Sequence, residues 1–198
     1  MSRSTLSSIL DTKTNAGHRF IRDFQMLDGV VTRLKKKGMR IVLTQGVWDL
    51  IHEGHAKYLE AAKSFGDILV VGLDSDELTR ARKGPNRPIV PERERIQMLT
   101  HLRHVDIVTV RDIRHDIGHL IRLVKPHVLV TSSSTADVKD DLEKGTYRAF
   151  CKKIVTLPPQ ATTSTSARIR NLTIEGAEQL AQEVDKLTKN FIRQIRSV

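Results

Sequence analysis

Residues 40–65 read RIVLTQGVWDLIHEGHAKYLEAAKSF. The run Arg40–Thr44 is short, apolar and rich in β-branched residues, as a strand buried on both faces should be. Residues 54–65 carry a helical pattern. Between them lies a turn holding two glycines, Gly46 and Gly54, and two histidines, His52 and His55. Strand, glycine-bearing turn and helix in that order form the unit from which layered α/β sheets are built.

The unit repeats along the chain. Further β-rich runs are Asp67–Leu73 (DILVVGL), Val105–Val110 (VDIVTV), His127–Thr131 (HVLVT) and Lys153–Leu157 (KIVTL), with helical candidates at 91–102, 114–124 and 137–151. This alternation predicts an α/β fold: a Rossmann-like five-stranded parallel sheet with helices on both faces. Helical extensions flank it. From Arg19 to Lys37 the apolar residues Phe20, Phe24, Leu27, Val31 and Leu34 recur at helical spacing, and Gly38 follows the basic run Lys35–Lys37 as a helix end should. From Ala177 onward Leu180, Val184, Leu187, Phe191 and Ile195 form a second stripe, which must cover either its own domain or a second copy in a homodimer. Residues 2–16 are Ser/Thr-rich and read as a frayed lead-in. The expected division is 1–38 as an N-terminal extension, 39–172 as the central domain and 173–198 as a C-terminal helix.

Bulk properties narrow the classes. Hydrophobic content of 39% and charged content of 28% over 198 residues fit one globular domain with terminal additions. No apolar run approaches the roughly 18 residues of a membrane helix, and the N-terminus lacks the apolar core of a secretory signal. Cys151 is the single cysteine, which excludes an internal disulfide and points to a reducing cytoplasm. The net charge of +10 divides as +6 over residues 1–40, −1 over 41–110 and +5 over 111–198. With the excess at the two ends and few aromatic residues for stacking on bases, nucleic acid is not the expected main partner.

The chemistry concentrates in Thr44–His55. Gly46 lets backbone approach a ligand closely. His52 and His55, three apart at the opening turn of a helix, point to one side, and Gly54 between them leaves space for a phosphate on the helix N-terminus. No third ligand of suitable type follows at a zinc-site distance, so no protein-held metal is expected. Three more segments join it. Val71–Asp76 ends the second strand, where Asp76 reads as a helix cap. Arg80–Arg95, with Gly84, Pro85, Pro88 and Pro91, reads as a basic loop able to close over an anion. Thr163–Arg170 places hydroxyls before a helical run.

Gly46-x-Trp48-Asp-Leu-x-His52-x-Gly54-His55 resembles the signature of the cytidylyltransferase-like nucleotidyltransferase superfamily, with Trp48 where an aromatic residue is common. The resemblance covers roughly residues 30–172. Within the superfamily the likeness is to the nucleotidyltransferase half of ADP-heptose synthases, through the helix ending Leu34-Lys-Lys-Lys-Gly38, the Lys-Gly…Arg-Pro loop and the Pro91…Arg95 spacing. It implies transfer of AMP or CMP from a nucleoside triphosphate, with Mg²⁺, to a phosphorylated small molecule, a sugar phosphate being favoured. It implies catalytic roles for His52, His55 and Lys83. Nucleotide contacts would come from Gly46, Val47, Trp48, Gly54, Gly72, Asp74 and Arg95, and from Ser164, Thr165 and Ser166 on the β- and γ-phosphates. A glycerol-phosphate-type cytidylyltransferase and a flavin-mononucleotide adenylyltransferase are the alternatives within the superfamily. A non-catalytic nucleotide- or nucleic-acid-binding protein is the alternative of another class. The chain departs from its relatives at Val130–Thr135, which has no glycine and no acid, and at Val47, which offers no hydroxyl.

Overall fold

The computed structural model describes residues 16–133, 145–161 and 165–196. The chain divides into two units, Met1–Ala161 and Thr162–Val198. In the first, five strands form one sheet: β1 (Ile41–Gly46), β2 (Ile68–Asp74), β3 (Ile107–Arg111), β4 (Val128–Ser132) and β5 (Lys153–Leu157). All pair in parallel, in the order β3-β2-β1-β4-β5. The helices of this unit are α1 (Phe24–Lys36), α2 (Glu53–Lys63), α3 (Asp76–Lys83), α4 (Glu92–His101) and α5 (His119–Val124).

Side chains alternate across a strand, and here each alternate set finds its own cover. On one face Ile41, Leu43, Ile68, Val70 and Leu129 pack with Leu27, Val30, Val31 and Leu34 of α1 and with Leu120, Ile121 and Val124 of α5. On the other, Val42, Leu69, Val71, Val128 and Val130 pack with Leu59 and Ala62 of α2 and Leu99 of α4. Double-sided burial explains why the runs read as continuously apolar. The five-stranded parallel sheet with helices on both faces is the one the pattern predicts.

Four local readings need correcting. The N-terminal helix starts at Phe24, not near Arg19, because Asp23 caps it with Oδ1 accepting from the Met26 N–H at 2.6 Å. Phe20 instead bridges to Val108, and the Ile21 N–H donates to the Val108 carbonyl at 2.9 Å, so this segment extends along β3. The supposed loop from Arg80 is helical at its start: Arg80, Arg82 and Lys83 lie in the last turn of α3. Asp76 does not cap that helix; Ser75 does, its Oγ accepting from Leu78 N–H at 3.1 Å. Of the candidate helix at 137–151, residues 137–144 lie outside the described residues and 145–150 form turns. The lead-in at 2–16 lies outside them as well, except for residue 16.

The second unit contributes α6 (Thr165–Arg196), a single helix of 32 residues. Gly176 does not interrupt it. Among the described residues no helix is long and apolar enough to cross a membrane.

Candidate active site

In an open parallel sheet the crevice for a ligand lies beyond the strand C-termini where strand order reverses. Here β1 feeds β2 and β3 to one side and has β4 and β5 on the other, so the reversal falls between β1 and β4. The histidine-bearing turn leaves the C-terminal end of β1 at this point.

Its backbone is under constraint. Trp48 (φ 56°) and Leu50 (φ 45°) both adopt left-handed conformations that side-chain-bearing residues rarely occupy. Such strain persists only where surrounding contacts over-determine it, and three anchors do so. The Trp48 indole is buried, with Nε1–H donating to the Gly72 carbonyl at 3.2 Å. Asp49 is buried and accepts from the N–H groups of Ile89 and Val90, each at 2.9 Å, while Arg87 pairs with it at 2.8 Å. Arg95, 1% exposed, donates to the carbonyls of Val90 (2.8 Å), Val47 and Asp74 (2.9 Å) and to the Asp76 carboxylate (2.6 Å).

The two histidines lock each other. His52 is the N-cap of α2, its Nδ1 accepting from the Gly54 N–H at 3.0 Å. His55, one turn in, accepts the His52 backbone N–H at Nδ1, at 3.4 Å. A ring that accepts at Nδ1 carries its proton on Nε2, so both imidazoles present Nε2–H as the donor edge. Their centroids are 4.2 Å apart, and His55 also leans on Trp48 at 5.6 Å. Burial first, then the neighbouring His52, lowers the His55 pKa from 6.5 to about 4, against a smaller opposing pull from Asp49. His55 is therefore a neutral hydrogen-bond donor at neutral pH. Beneath it, burial pushes the Tyr58 hydroxyl up to about 12, and it stays protonated against Thr44 Oγ1 at 3.0 Å.

The remaining sequence candidates fall in different surroundings. A Cβ on Gly46 would only touch the Trp48 indole at 3.6 Å, so protein packing does not demand glycine there. At Gly54 it would meet the Ala161 Cβ and the His52 ring at 2.8 Å, so packing requires glycine at this position. Gly72 is likewise required by packing: a Cβ would meet Leu120 at 2.6 Å. Asp74 is fully buried and held by Arg82 and by Arg111, the latter at 2.6 Å, in an arrangement that leaves it fastening strand ends. Arg95 spends its donors on the protein, as described above. Val47 offers its carbonyl to Arg95. Lys83 is exposed at the end of α3. Ser164 lies outside the described residues, and Thr165 and Ser166 open α6.

Asp49 is the residue the sequence reading missed. An acid between Trp48 and Leu50 in a turn, with Arg87 in a later Pro-rich segment, is the available signal. Through it the histidine turn and the Pro-rich segment 84–90 are joined directly. Three of the four segments read from sequence as one constellation, Thr44–His55, Val71–Asp76 and Arg80–Arg95, thus meet in space.

A family model described as cytidylyltransferase-like matches residues 43–171. The bifunctional protein HldE of Desulfatibacillum aliphaticivorans is 42% identical over 109 residues, covering 55% of this chain and 22% of that protein. HldE of Geobacter metallireducens is 44% identical over 110 residues, covering 56% and 22%. The chain thus spans less than a quarter of the length of these curated relatives. Among solved structures, the lipopolysaccharide core biosynthesis protein from Thermoplasma volcanium is 30% identical with a TM-score of 0.53, over 61% of this chain and 97% of that one. Pantoate-beta-alanine ligase from Francisella tularensis, 16% identical with a TM-score of 0.55 over 77% of this chain and 72% of its own, shares the fold. Matched from the middle of β1 into the first turns of α6, the chain belongs to the cytidylyltransferase-like family of nucleotidyltransferases.

Proposed function

We propose that the chain transfers a nucleotidyl group, AMP in preference to CMP, from a nucleoside triphosphate to a sugar phosphate. The observation that carries this is His55: a neutral imidazole, its Nδ1 committed to backbone, with its proton on Nε2 at the end of β1. An acceptor phosphate oxygen attacks the α-phosphorus and pyrophosphate departs. The acceptor brings its own nucleophile, so the protein needs no activated side chain; it must align the two reactants and offset charge on the phosphoryl oxygens. His55 donates to the α-phosphate, with His52 beside it. Lys83, exposed at the end of α3, faces the leaving pyrophosphate. By the family resemblance, Ser164, Thr165 and Ser166 serve the β- and γ-phosphates.

The sugar phosphate is favoured by the identity to HldE proteins and by the likeness to a lipopolysaccharide core biosynthesis protein. Mg²⁺ belongs to the proposal as the counter-ion of the triphosphate. Asp49 and Asp74 are held by arginines, so in this reading the triphosphate would bring the ion with it. No step is routed through it. The buried free thiol of Cys151 is in keeping with the cytoplasm as the site of action.

The test is pyrophosphate release from ATP, CTP, GTP and UTP, each with a panel of sugar 1-phosphates. ATP with a sugar phosphate should turn over, and a folded His55→Ala variant should lose about 2.7–4 kcal/mol of barrier stabilisation, a hundredfold or more in rate. Turnover of His55→Ala at the wild-type rate, or no pyrophosphate from any pair, would overturn the reading.

A further inference from the structure

Helix α6 carries an apolar stripe that is exposed among the described residues. Leu180, Val184 and Leu187 are 62%, 53% and 69% exposed, and Leu172 is 68% exposed. Leu180, Val184 and Leu187 follow at spacings of four and three, and the sequence continues the stripe to Phe191 by four and back to Ala177 by three. That is a heptad seam. Helices owe most of their stability to packing of such a face.

Charge on the helix is segregated. Residues 175–185 contain Glu175, Glu178, Glu183 and Asp185 and no Lys or Arg; residues 186–196 contain Lys186, Lys189, Arg193 and Arg196 and no acid. A parallel pair would set acid beside acid and base beside base along its length. An antiparallel pair sets each acidic half against a basic half. The two patterns share one centre. Pairing seam positions antiparallel, 180 opposite 191 and 184 opposite 187, puts the two-fold axis between positions 185 and 186. The sign of the charge changes at that same place.

We propose that α6 is a homodimerisation element, pairing with α6 of a second copy as an antiparallel coiled coil centred between Asp185 and Lys186. On one flank of the seam Ala181 and Thr188 are small, so two helices can approach closely there, and on the other Glu183 and Asn190 form a polar edge. A single two-fold pair is self-complementary and closes, leaving no further seam for growth.

The test uses the full chain. Light scattering at micromolar concentration should give twice the 22.4 kDa of one chain. The double variant Val184→Asp and Leu187→Asp should give one chain's mass, with an unchanged thermal transition of the sheet domain. Orientation is read by pulsed electron spin resonance on Asn171→Cys in a Cys151→Ser background, with one spin label per chain. Position 171 lies 14.5 residues from the proposed axis, so at a rise of 1.5 Å per residue the labels should stand about 44 Å apart. A parallel pair would hold them within roughly 15 Å, near the width of two helices. A monomeric wild type, a dimer that survives the double variant, or the short label distance would each overturn the proposal. The last two would assign the interface to another surface or another orientation.

Discussion

Replacing Asp49 by Asn removes one oxygen from a carboxylate whose two oxygens both have work. The Ile89 N–H meets Oδ2 and the Val90 N–H meets Oδ1, each at 2.9 Å, and Arg87 reaches Oδ2 at 2.8 Å. An amide has a single acceptor oxygen. In either rotamer its NH₂ group faces a backbone N–H, so one buried donor loses its partner, at a cost of about 1–3 kcal/mol. The charge pairing with Arg87 is lost as well, but the Arg87 side chain is 20% exposed, and water limits that part to about 1 kcal/mol. Asp49→Asn should therefore destabilise the protein by roughly 2–4 kcal/mol in urea titration. The loss should be local before it is global. Amide exchange at Ile89 and Val90 should accelerate at denaturant concentrations where β1 and β2 remain protected, because the segment 84–90 is tied to the histidine turn through this carboxylate. The Michaelis constant for the triphosphate should rise while His55 stays in place. If the variant is within about 0.5 kcal/mol of wild type and the two amides keep their protection, Asp49 does not hold the two segments together.

Other perturbations follow from the same geometry. Arg95→Lys keeps the charge but cannot span the Val90, Val47 and Asp74 carbonyls and the Asp76 carboxylate, so it should cost about 3–5 kcal/mol in thermal or urea unfolding; a near-neutral result would mean that the buried guanidinium is dispensable. Gly72→Ala drives a methyl into Leu120 at 2.6 Å and should destabilise by about 1–3 kcal/mol, with nucleotide affinity falling only in step with stability; an affinity loss at full stability would make Gly72 a ligand contact instead. His55 has its folded-state pKa depressed, so between 6.5 and about 4 the unfolded chain binds a proton that the folded chain refuses, and acidification through that window destabilises the fold. The gap corresponds to at most roughly 3 kcal/mol, absent in a His55→Gln variant, and an imidazole resonance titrating near 6.5 would refute it.

The sheet is legible because parallel strands covered on both faces leave continuous Val/Ile-rich runs; the edge strand Lys153–Leu157, partly exposed throughout, is legible from its β-branched residues instead. Helix α3 was not, since eight residues with only Leu78 and Thr79 buried leave no periodic stripe to detect. The start of α1 was placed too early because Phe20 is apolar for a different reason, its place along β3. The histidine motif was legible as chemistry, but the roles of its neighbours were not. Asp74 reads as facing a nucleotide because it ends a strand, where ligands bind, and Arg95 because it matches the family's phosphate-contacting arginine. Strand ends must also be held together, and a buried arginine among carbonyls looks the same in sequence as one among phosphates. Asp49 escaped notice for the complementary reason: its partners are backbone N–H groups, which no side-chain pattern announces.

The place of Trp48 has a practical use. It is the sole tryptophan of the chain, its indole is fixed by the Gly72 carbonyl, and its ring lies 5.6 Å from that of His55. The protein therefore carries its own fluorophore at the imidazole pair. Protonated imidazole quenches indole emission, so acid quenching with a midpoint near 4 would track His55, and an emission change on adding a triphosphate would report arrival at this turn without any label.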